Sequence, residues 1–188
     1  MGMGIFKSFF ILSLILVLGG CLGKELPKIQ HYELSLDSKI WNQDTIQKNL
    51  ARKRHFIIYQ GTEASLKIAS KKIAYKANAN TIGYFVKSEW IEPLPLMIDS
   101  LVAKAAKYSN VLLSESTSTK DSFKLQILDL YYDERSEVVV LNLLVRTQDS
   151  NHLLTRKVEV QSGGFGEIIE AMNQAINFAL LDSFLLLH

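Results

Sequence analysis

Apolar residues are densest near the N-terminus, where residues 9–18 are hydrophobic except for Ser13. This run of ten residues is about half of what a membrane-spanning helix needs, and it suits the core of a secretory signal peptide. Lys7 supplies the basic residue that precedes such a core, and Gly19 and Gly20 supply small residues after it. The pattern therefore predicts a signal peptide over residues 1–20.

Beyond a short tether over residues 22–30, runs with alternating or β-branched apolar positions predict a series of strands. The predicted strands cover residues 31–36, 56–59, 81–86, 123–132, 138–145 and 153–161, and residues 66–75 fit either one strand or a pair of strands. Polar residues at 77–80 and 133–136 predict hairpin turns. Residues 37–54 are also polar, and their pattern fits either a loop or a loop with a helical turn.

Two segments carry apolar residues at helical spacing. In the first, Met97, Leu101, Ala105 and Tyr108 form one stripe, and the prolines at positions 93 and 95 suit a first helical turn. In the second, the stripe consists of Ile168, Met172, Ala175, Ile176, Ala179, Leu180 and Leu187. The apolar end of this second helix, residues 184–187, is expected to be buried.

The order of strands and helices predicts a single α+β domain, with a mostly antiparallel sheet and two helices packed on one face. The strand over residues 138–145 is apolar on both faces except at Asn142. We therefore expect it at the centre of the sheet, covered by helices on one face and by a partner or further core on the other.

Composition and charge exclude several classes of protein. Lys and Arg number 21 and Asp and Glu number 19, so the formal net charge is +2 and nucleic-acid binding is not expected. The single cysteine excludes an internal disulfide framework and a cysteine-rich zinc site. A local basic strip consists of Lys67, Lys71, Lys72 and Lys76. Such a strip is typical of a solvated surface, and near a membrane it would contact anionic lipid headgroups.

Residue types that carry chemistry do not form a catalytic set in this sequence. The histidines are His31, His55, His152 and His188. Their spacing fits no metal-ligand pattern, which favours structural roles. The glycine-rich residues 163–166 could hold an anion before a helix, but they lack the Lys and Ser/Thr of a phosphate-binding loop, which favours a simple turn. No GxSxG motif surrounds the hydroxyl-rich segment 114–118. We therefore predict a protein that is not an enzyme and that has no catalytic, cofactor-binding or metal site.

The cysteine directly follows the predicted signal peptide. The sequence Leu18-Gly19-Gly20-Cys21 resembles the lipobox of bacterial lipoproteins. The resemblance implies cleavage before Cys21 and acylation of its thiol and new amine with fatty acids such as palmitate. Residues 21–30 would then form a lipidated tether and residues 31–188 the domain. The alternative is a generic signal peptide, or an N-terminal anchor helix, with a coincidental cysteine.

Lipoprotein sorting in Gram-negative bacteria depends on the residue after the acylated cysteine. Residue 22 is leucine rather than aspartate. By the same resemblance, this favours a lipid anchor in the outer membrane, facing the periplasm, over one in the inner membrane.

A central block has the layout of a known family. The block consists of residues 72–75, 77–80, 82–85 and 89–94. Together with the lipobox and an early aromatic strand, it resembles the ABC-type transport auxiliary lipoproteins, the family that includes the PqiC-like proteins. Trp90, Glu92 and Pro93 match the family motif, whereas Glu89 stands where the family usually has arginine, and residues 37–66 fit poorly.

The family resemblance implies a noncatalytic role in lipid transport between two membranes. In such systems an ATPase, a permease and a mammalian-cell-entry (MCE) domain protein move the lipid. The chain would dock the MCE-domain protein at the periplasmic side of the outer membrane, and we expect it to form a homo-oligomer. Trp90, Glu92 and Pro93 also have structural explanations, as a Trp over the sheet edge, a carboxylate near the positive end of a helix and a helix-starting proline.

The alternative function is a lipoprotein regulator or scaffold of cell-wall synthesis. Proteins of that kind typically carry a long tether rich in Pro or Ser, which reaches the peptidoglycan. Here residues 22–30 span only about 30 Å when fully extended. This length would hold the domain close to its own membrane, and it favours the transport role.

Overall fold

The computed structural model describes residues 28–42, 55–114, 121–161 and 164–187, and this part of the chain forms eight strands and two helices. The strands are β1 Gln30–Tyr32, β2 His55–Ala64, β3 Lys72–Asn78, β4 Thr81–Trp90, β5 Val111–Leu113, β6 Ser122–Asp133, β7 Val138–Thr147 and β8 Asn151–Glu159. The helices are α1 Leu94–Ala106 and α2 Phe165–Leu186. The predicted α+β fold is confirmed, whereas the predicted signal peptide and Cys21 lie outside the described residues.

The strands form one mixed sheet. The three hairpin pairings β3–β4, β6–β7 and β7–β8 are antiparallel, as predicted, and they include the longest ladders. Four parallel pairings, β1–β4, β2–β5, β2–β6 and β3–β6, were not predicted. One edge of β6 is shared between β2, along residues 122–127, and β3, at Tyr132 and Asp133. The other edge of β6 pairs with β7, and β7 pairs with β8.

Both helices pack on the same face of the sheet, as predicted. Ile98 of α1 and Ile176 of α2 line one small apolar cavity together with Leu130 of β6 and Leu141 of β7. The side chains of β7 that face the helices are fully buried, for example Val139. This core stabilises the domain because each fully buried aliphatic side chain contributes about 1.5–3 kcal/mol relative to leaving it exposed.

Helix α1 follows the predicted stripe over most of its length. Met97, Leu101 and Ala105 are buried, but Tyr108 lies beyond the end of the helix and is 39% exposed. Pro93 is the N-cap, and the next proline falls in the first turn, where a missing N–H leaves no hydrogen bond unmade. Glu92 is exposed and directly precedes the cap, so its charge lies near the positive end of the helix, as expected, although outside the first turn.

The apolar end of α2 is buried only in part. Phe184 is 1% exposed and packs edge-to-face against Trp41 and Phe123, while Leu187 is 9% exposed. Leu185 and Leu186 are 37% and 39% exposed. The prediction of burial over residues 184–187 is therefore right for the two outer positions and wrong for the two between them.

The predicted first strand, residues 31–36, ends early because the chain leaves the sheet to cross α2. The carboxamide of Asn177 is fully buried and is bonded on both sides. Its Oδ1 accepts hydrogen bonds from Asp37 N at 3.0 Å and Trp41 Nε1 at 2.8 Å. Its Nδ2 donates to Ser35 O at 2.9 Å and to the backbone oxygen of Asn173 at 2.8 Å. These hydrogen bonds to α2 take the place of the strand-to-strand hydrogen bonds, which end at Tyr32.

Candidate functional site

The histidines are dispersed over the domain. Nδ1 of His31 lies 3.4 Å from Oε1 of Glu89, and Nε2 of His152 lies 2.7 Å from the Ser150 hydroxyl. His55 begins β2, and His188 lies outside the described residues. Among the residues that the structure describes, no group of three or more His, Cys, Asp or Glu side chains could hold a metal ion.

The two loops considered for chemistry sit at element boundaries. Gly164 is the N-cap of α2 in an extended conformation, so the glycine-rich segment makes the turn from strand to helix. Ser114 follows β5, and its backbone N–H donates to Ile57 O at 2.9 Å. The hydroxyl-rich residues 116–118 lie outside the described residues.

A half-buried phenol, that of Tyr59, joins β2 to α1. The Tyr59 hydroxyl donates to Oδ1 of Asp99 at 2.5 Å, and Thr62 N donates to the same oxygen at 2.9 Å. Burial, followed by the hydrogen bond to Asp99, raises the pKa of Tyr59 well above its ordinary value. Gly61, with φ +88°, makes the bulge that brings both donors to Asp99. We assign this network a structural role because it fixes α1 against the sheet.

The Trp90–Pro93 motif lies where the β1–β4 ladder meets α1. Trp90 is 1% exposed, and its backbone N–H donates to Lys71 O at 2.7 Å. Ile91 N donates to Tyr32 O at 2.8 Å, which ties the end of β1 to the same junction. These positions support the structural explanation of the motif.

The lysines of the predicted basic strip contact different partners in the structure. Nζ of Lys67 lies 2.5 Å from Oδ1 of Asp129, and Nζ of Lys76 lies 4.5 Å from the ring centroid of Tyr131. Nζ of Lys72 lies 5.1 Å from the ring centroid of Tyr84. Two of the four lysines therefore belong to the sheet face of β6, rather than to one continuous basic surface.

A polar row crosses the sheet on the face away from the helices. Asp129, Asn142 and Thr155 are cross-strand partners in β6, β7 and β8. Thr155 Oγ1 donates to Asn142 Oδ1 at 2.8 Å, and Asn142 Nδ2 donates to Asp129 Oδ2 at 2.9 Å. Lys67 completes the row through the other oxygen of Asp129. The row fixes four side chains in one orientation, so this surface is ordered without any covering element.

The carboxylate of Asp129 in the polar row stays ionised because of its surroundings. Partial burial raises the pKa of Asp129. The hydrogen bonds from Lys67 and Asn142, together with the charges of Lys67 and Lys76, lower it by more than burial raises it. The pKa of this carboxyl group therefore lies below its ordinary value. Lys67 and Asp129 form an ion pair at neutral pH at one end of the row.

Apolar side chains flank the polar row. Leu153 of β8 is 59% exposed, and its cross-strand partner Leu144 is half-buried. Val140 is 7% exposed between its partners Tyr131 and Lys157. We call this surface the outer face, defined by Asp129, Tyr131, Val140, Asn142, Leu144, Leu153 and Thr155. The outer face combines exposed apolar area with fixed polar groups, which is the composition of many protein-binding surfaces.

A groove lies between the start of α2, the end of β8 and residues 35–39, which cross α2. This groove has a volume of about 640 Å³ and is lined by Lys39, Glu159, Glu170 and Gln174 among others. Its lining is largely polar. This groove could not be predicted from residue patterns, because its lining comes from three segments that are distant in the chain.

Comparisons with known proteins establish the fold alone. No family model matches the chain, and no curated protein matches it. The chain is similar to a solved structure from Xanthomonas campestris assigned to the family DUF330, with a TM-score of 0.64 and 13% identity over 81% of this chain and 91% of that one. It is also similar to the crystal structure of an uncharacterized protein, with a TM-score of 0.62 and 12% identity over 82% of this chain and 95% of that one.

In the part of the chain that the structure describes, neither helix is long and apolar enough to cross a membrane.

Proposed function

We propose that the chain is a noncatalytic, membrane-anchored lipoprotein component of an MCE/ABC-type intermembrane lipid transport system. It docks the MCE-domain protein at the periplasmic side of the outer membrane, and the acylated Cys21 holds it there. The observation that carries the proposal is the outer face, an ordered sheet surface that neither helix covers and that exposes Leu153 beside a fixed polar row. The lipobox and the short tether support it from the sequence.

Docking explains the chemistry of the outer face better than catalysis does. Its polar side chains bond to one another and point no nucleophile or base into a cavity. An interface gains specificity from such pre-oriented groups because they need no reordering when a partner arrives. The proposed partner therefore contacts β6, β7 and β8 rather than the polar groove.

A genetic test measures whether the chain and an MCE-domain protein act in one process. Deleting either gene should weaken the outer-membrane barrier to detergent by a similar degree, and deleting both should add nothing further. Additive defects would contradict the proposal, and a defect shared with a cell-wall synthase instead would support the regulator or scaffold of cell-wall synthesis.

The strain that lacks the gene of this chain also tests the outer face, because variants can be expressed in it. Leu153→Arg adds charge and bulk to an exposed apolar position, so it should fail to restore the barrier while the protein stays folded and membrane-bound. Lys104→Glu, on the exposed side of α1, is the control and should restore the barrier fully. Full activity of the Leu153→Arg variant would place the docking surface elsewhere.

A further inference from the structure

The described chain begins beside an irregular part of β4. Strand β1 pairs in parallel with β4, with Gln30 opposite Ser88 and Tyr32 opposite Trp90. In a parallel pair both strands run in the same direction, so Lys28 and Ile29, which precede Gln30, lie toward the same end of the ladder as Val86 and Lys87, which precede Ser88. The described chain therefore begins at the end of this ladder where Val86 and Lys87 lie.

Strand β4 bulges outward at this point. Lys72 of β3 pairs with Glu89, and Ala74 pairs with Tyr84. Between these two pairs β3 contributes Ile73 alone, whereas β4 contributes residues 85–88. A bulge lifts its extra residues away from the ladder. Val86 is accordingly 84% exposed, an unusual position for a valine in a strand.

We call this part of the surface the N-terminal corner, defined by Lys28, Ile29, Val86 and Lys87. All four side chains are exposed, Ile29 to 49%. Two are apolar and two are cationic. The acidic residues next to β1 and β4 are Glu33, Glu89 and Glu92, which lie further toward the other end of the β1–β4 ladder, and the Glu89 carboxylate contacts His31. The corner is therefore locally basic although the whole chain is nearly neutral.

We propose that the N-terminal corner contacts the surface of an anionic lipid bilayer, with the lysines at the headgroups and Val86 and Ile29 at the boundary of the acyl chains. This inference rests on the acylation of Cys21 that belongs to the proposed function. The seven residue steps from Cys21 to Lys28 reach at most about 25 Å. A tether this short keeps the corner within reach of the headgroups.

The charge and the apolar side chains act together at such a boundary. Lysines near an anionic surface are attracted to it, and exposed aliphatic side chains gain by leaving water beside the acyl chains. Contact at the corner also fixes how the anchored domain is oriented. The outer face, on other strands of the sheet, then stays available to a protein partner.

The test uses the full lipidated protein in vesicles of phosphatidylcholine with or without phosphatidylglycerol. Nitroxide labels are attached at Val86→Cys and, as the control, at Leu153→Cys on the outer face. The acylated Cys21 has no free thiol to label. Collision of each label with oxygen and with a water-soluble nickel complex reports whether it lies in lipid or in water.

The label at position 86 should lie in lipid when phosphatidylglycerol is present and in water when it is absent. It should return to water in the Lys28→Glu/Lys87→Glu variant. The variant Lys104→Glu/Lys107→Glu makes the same charge change at the end of α1 and should have no effect. The label at position 153 should remain in water throughout. A position-86 label that lies in water with phosphatidylglycerol present overturns the inference, and one that is shielded before lipid is added indicates a protein interface instead and also overturns it.

Mass spectrometry of the same preparation separates this inference from the proposed function. An unmodified Cys21 would contradict the lipoprotein proposal alone. The corner is then tested by sedimenting the unlipidated chain with the same vesicles. Loss of the two lysines should weaken its binding at least about fivefold. No binding of the wild-type chain to anionic vesicles would overturn the inference.

Discussion

The buried carboxamide of Asn177 attaches the N-terminal segment to α2. Asn177→Ala would leave the buried indole N–H of Trp41 and the N–H of Asp37 without their acceptor. An unsatisfied buried donor costs about 1–3 kcal/mol. We therefore expect the variant to lose about 3 kcal/mol of unfolding free energy, measured by urea denaturation.

Asn173→Ala is the matched control for this prediction. Its carboxamide accepts one hydrogen bond, from Ser35 N, at an exposed site where water can replace it. The expected loss is about 1 kcal/mol. Equal losses for the two variants would contradict the role given to Asn177.

Asp129 makes the stability of the domain depend on pH in the acid range. Because its pKa is lowered in the folded state, the unfolded chain binds the proton more tightly. The contribution of the carboxylate is therefore present above its ordinary pKa of about 4 and is lost as the pH falls through the lower pKa of the folded state.

Asp129→Asn should remove this acid-dependent part of the stability. Urea midpoints at pH 7 and at several acid pH values should fall less steeply in the variant than in the wild type. Asp149→Asn, which removes an exposed carboxylate from the β7–β8 turn, is the control. An unchanged slope in Asp129→Asn would show that its ion pair with Lys67 contributes nothing to folding.

Among the elements, α2 depends on one aromatic side chain near its end. Phe184 is 1% exposed and packs against Trp41 and Phe123, so Phe184→Ala should cost about 3–5 kcal/mol of unfolding free energy. Leu185→Ala, at a position that is 37% exposed, should cost less than about 1 kcal/mol. Both losses are measured by thermal and by urea denaturation. If Phe184→Ala and Leu185→Ala lost comparable stability, this arrangement of the helix end would be contradicted.

The β3–β4 hairpin contains a glycine that a ring covers. A Cβ added at Gly83 would lie 2.5 Å from Cζ of Tyr75, whose ring also packs on Phe85. Gly83→Ala should therefore cost about 1–2 kcal/mol. In a Tyr75→Ala background the same change should be nearly neutral, and a cost that persists there would show that ring contact is not the cause.

Periodicity predicted the elements that depend on local sequence. The β6–β7 hairpin and the stripes of α1 and α2 follow from apolar spacing and turn residues within each segment. The parallel pairings could not be predicted, because partners such as Ile58 and Ser122 are far apart in the chain. Strand β5 was missed because three residues show no periodicity.

The outer face was predicted only in outline. The apolar character of residues 138–145 on both sides, with Asn142 as the exception, pointed to a second contact surface on β7. The polar row could not be predicted, because it needs the register that places Asp129, Asn142 and Thr155 opposite one another. Single-segment patterns carry no information on that register.

At the scale of the whole molecule, the structure weakens one reason for expecting a homo-oligomer. Phe184 and Leu187 are buried within the domain itself, so only Leu185 and Leu186 of this apolar helix end stay exposed. The remaining reason is the uncovered outer face. A homo-oligomer stays a prediction, and the mass of the lipidated protein in detergent, measured by light scattering, tests it.

The most direct measurement of the central claim is site-specific photocrosslinking in intact cells. A benzophenone side chain replaces Thr155 on the outer face or, as the control, the exposed Lys104 on α1. Each crosslinked product is identified by mass spectrometry. The proposal predicts an MCE-domain protein bound at position 155 and not at position 104. A cell-wall synthase at position 155, or no envelope protein there at all, would contradict it.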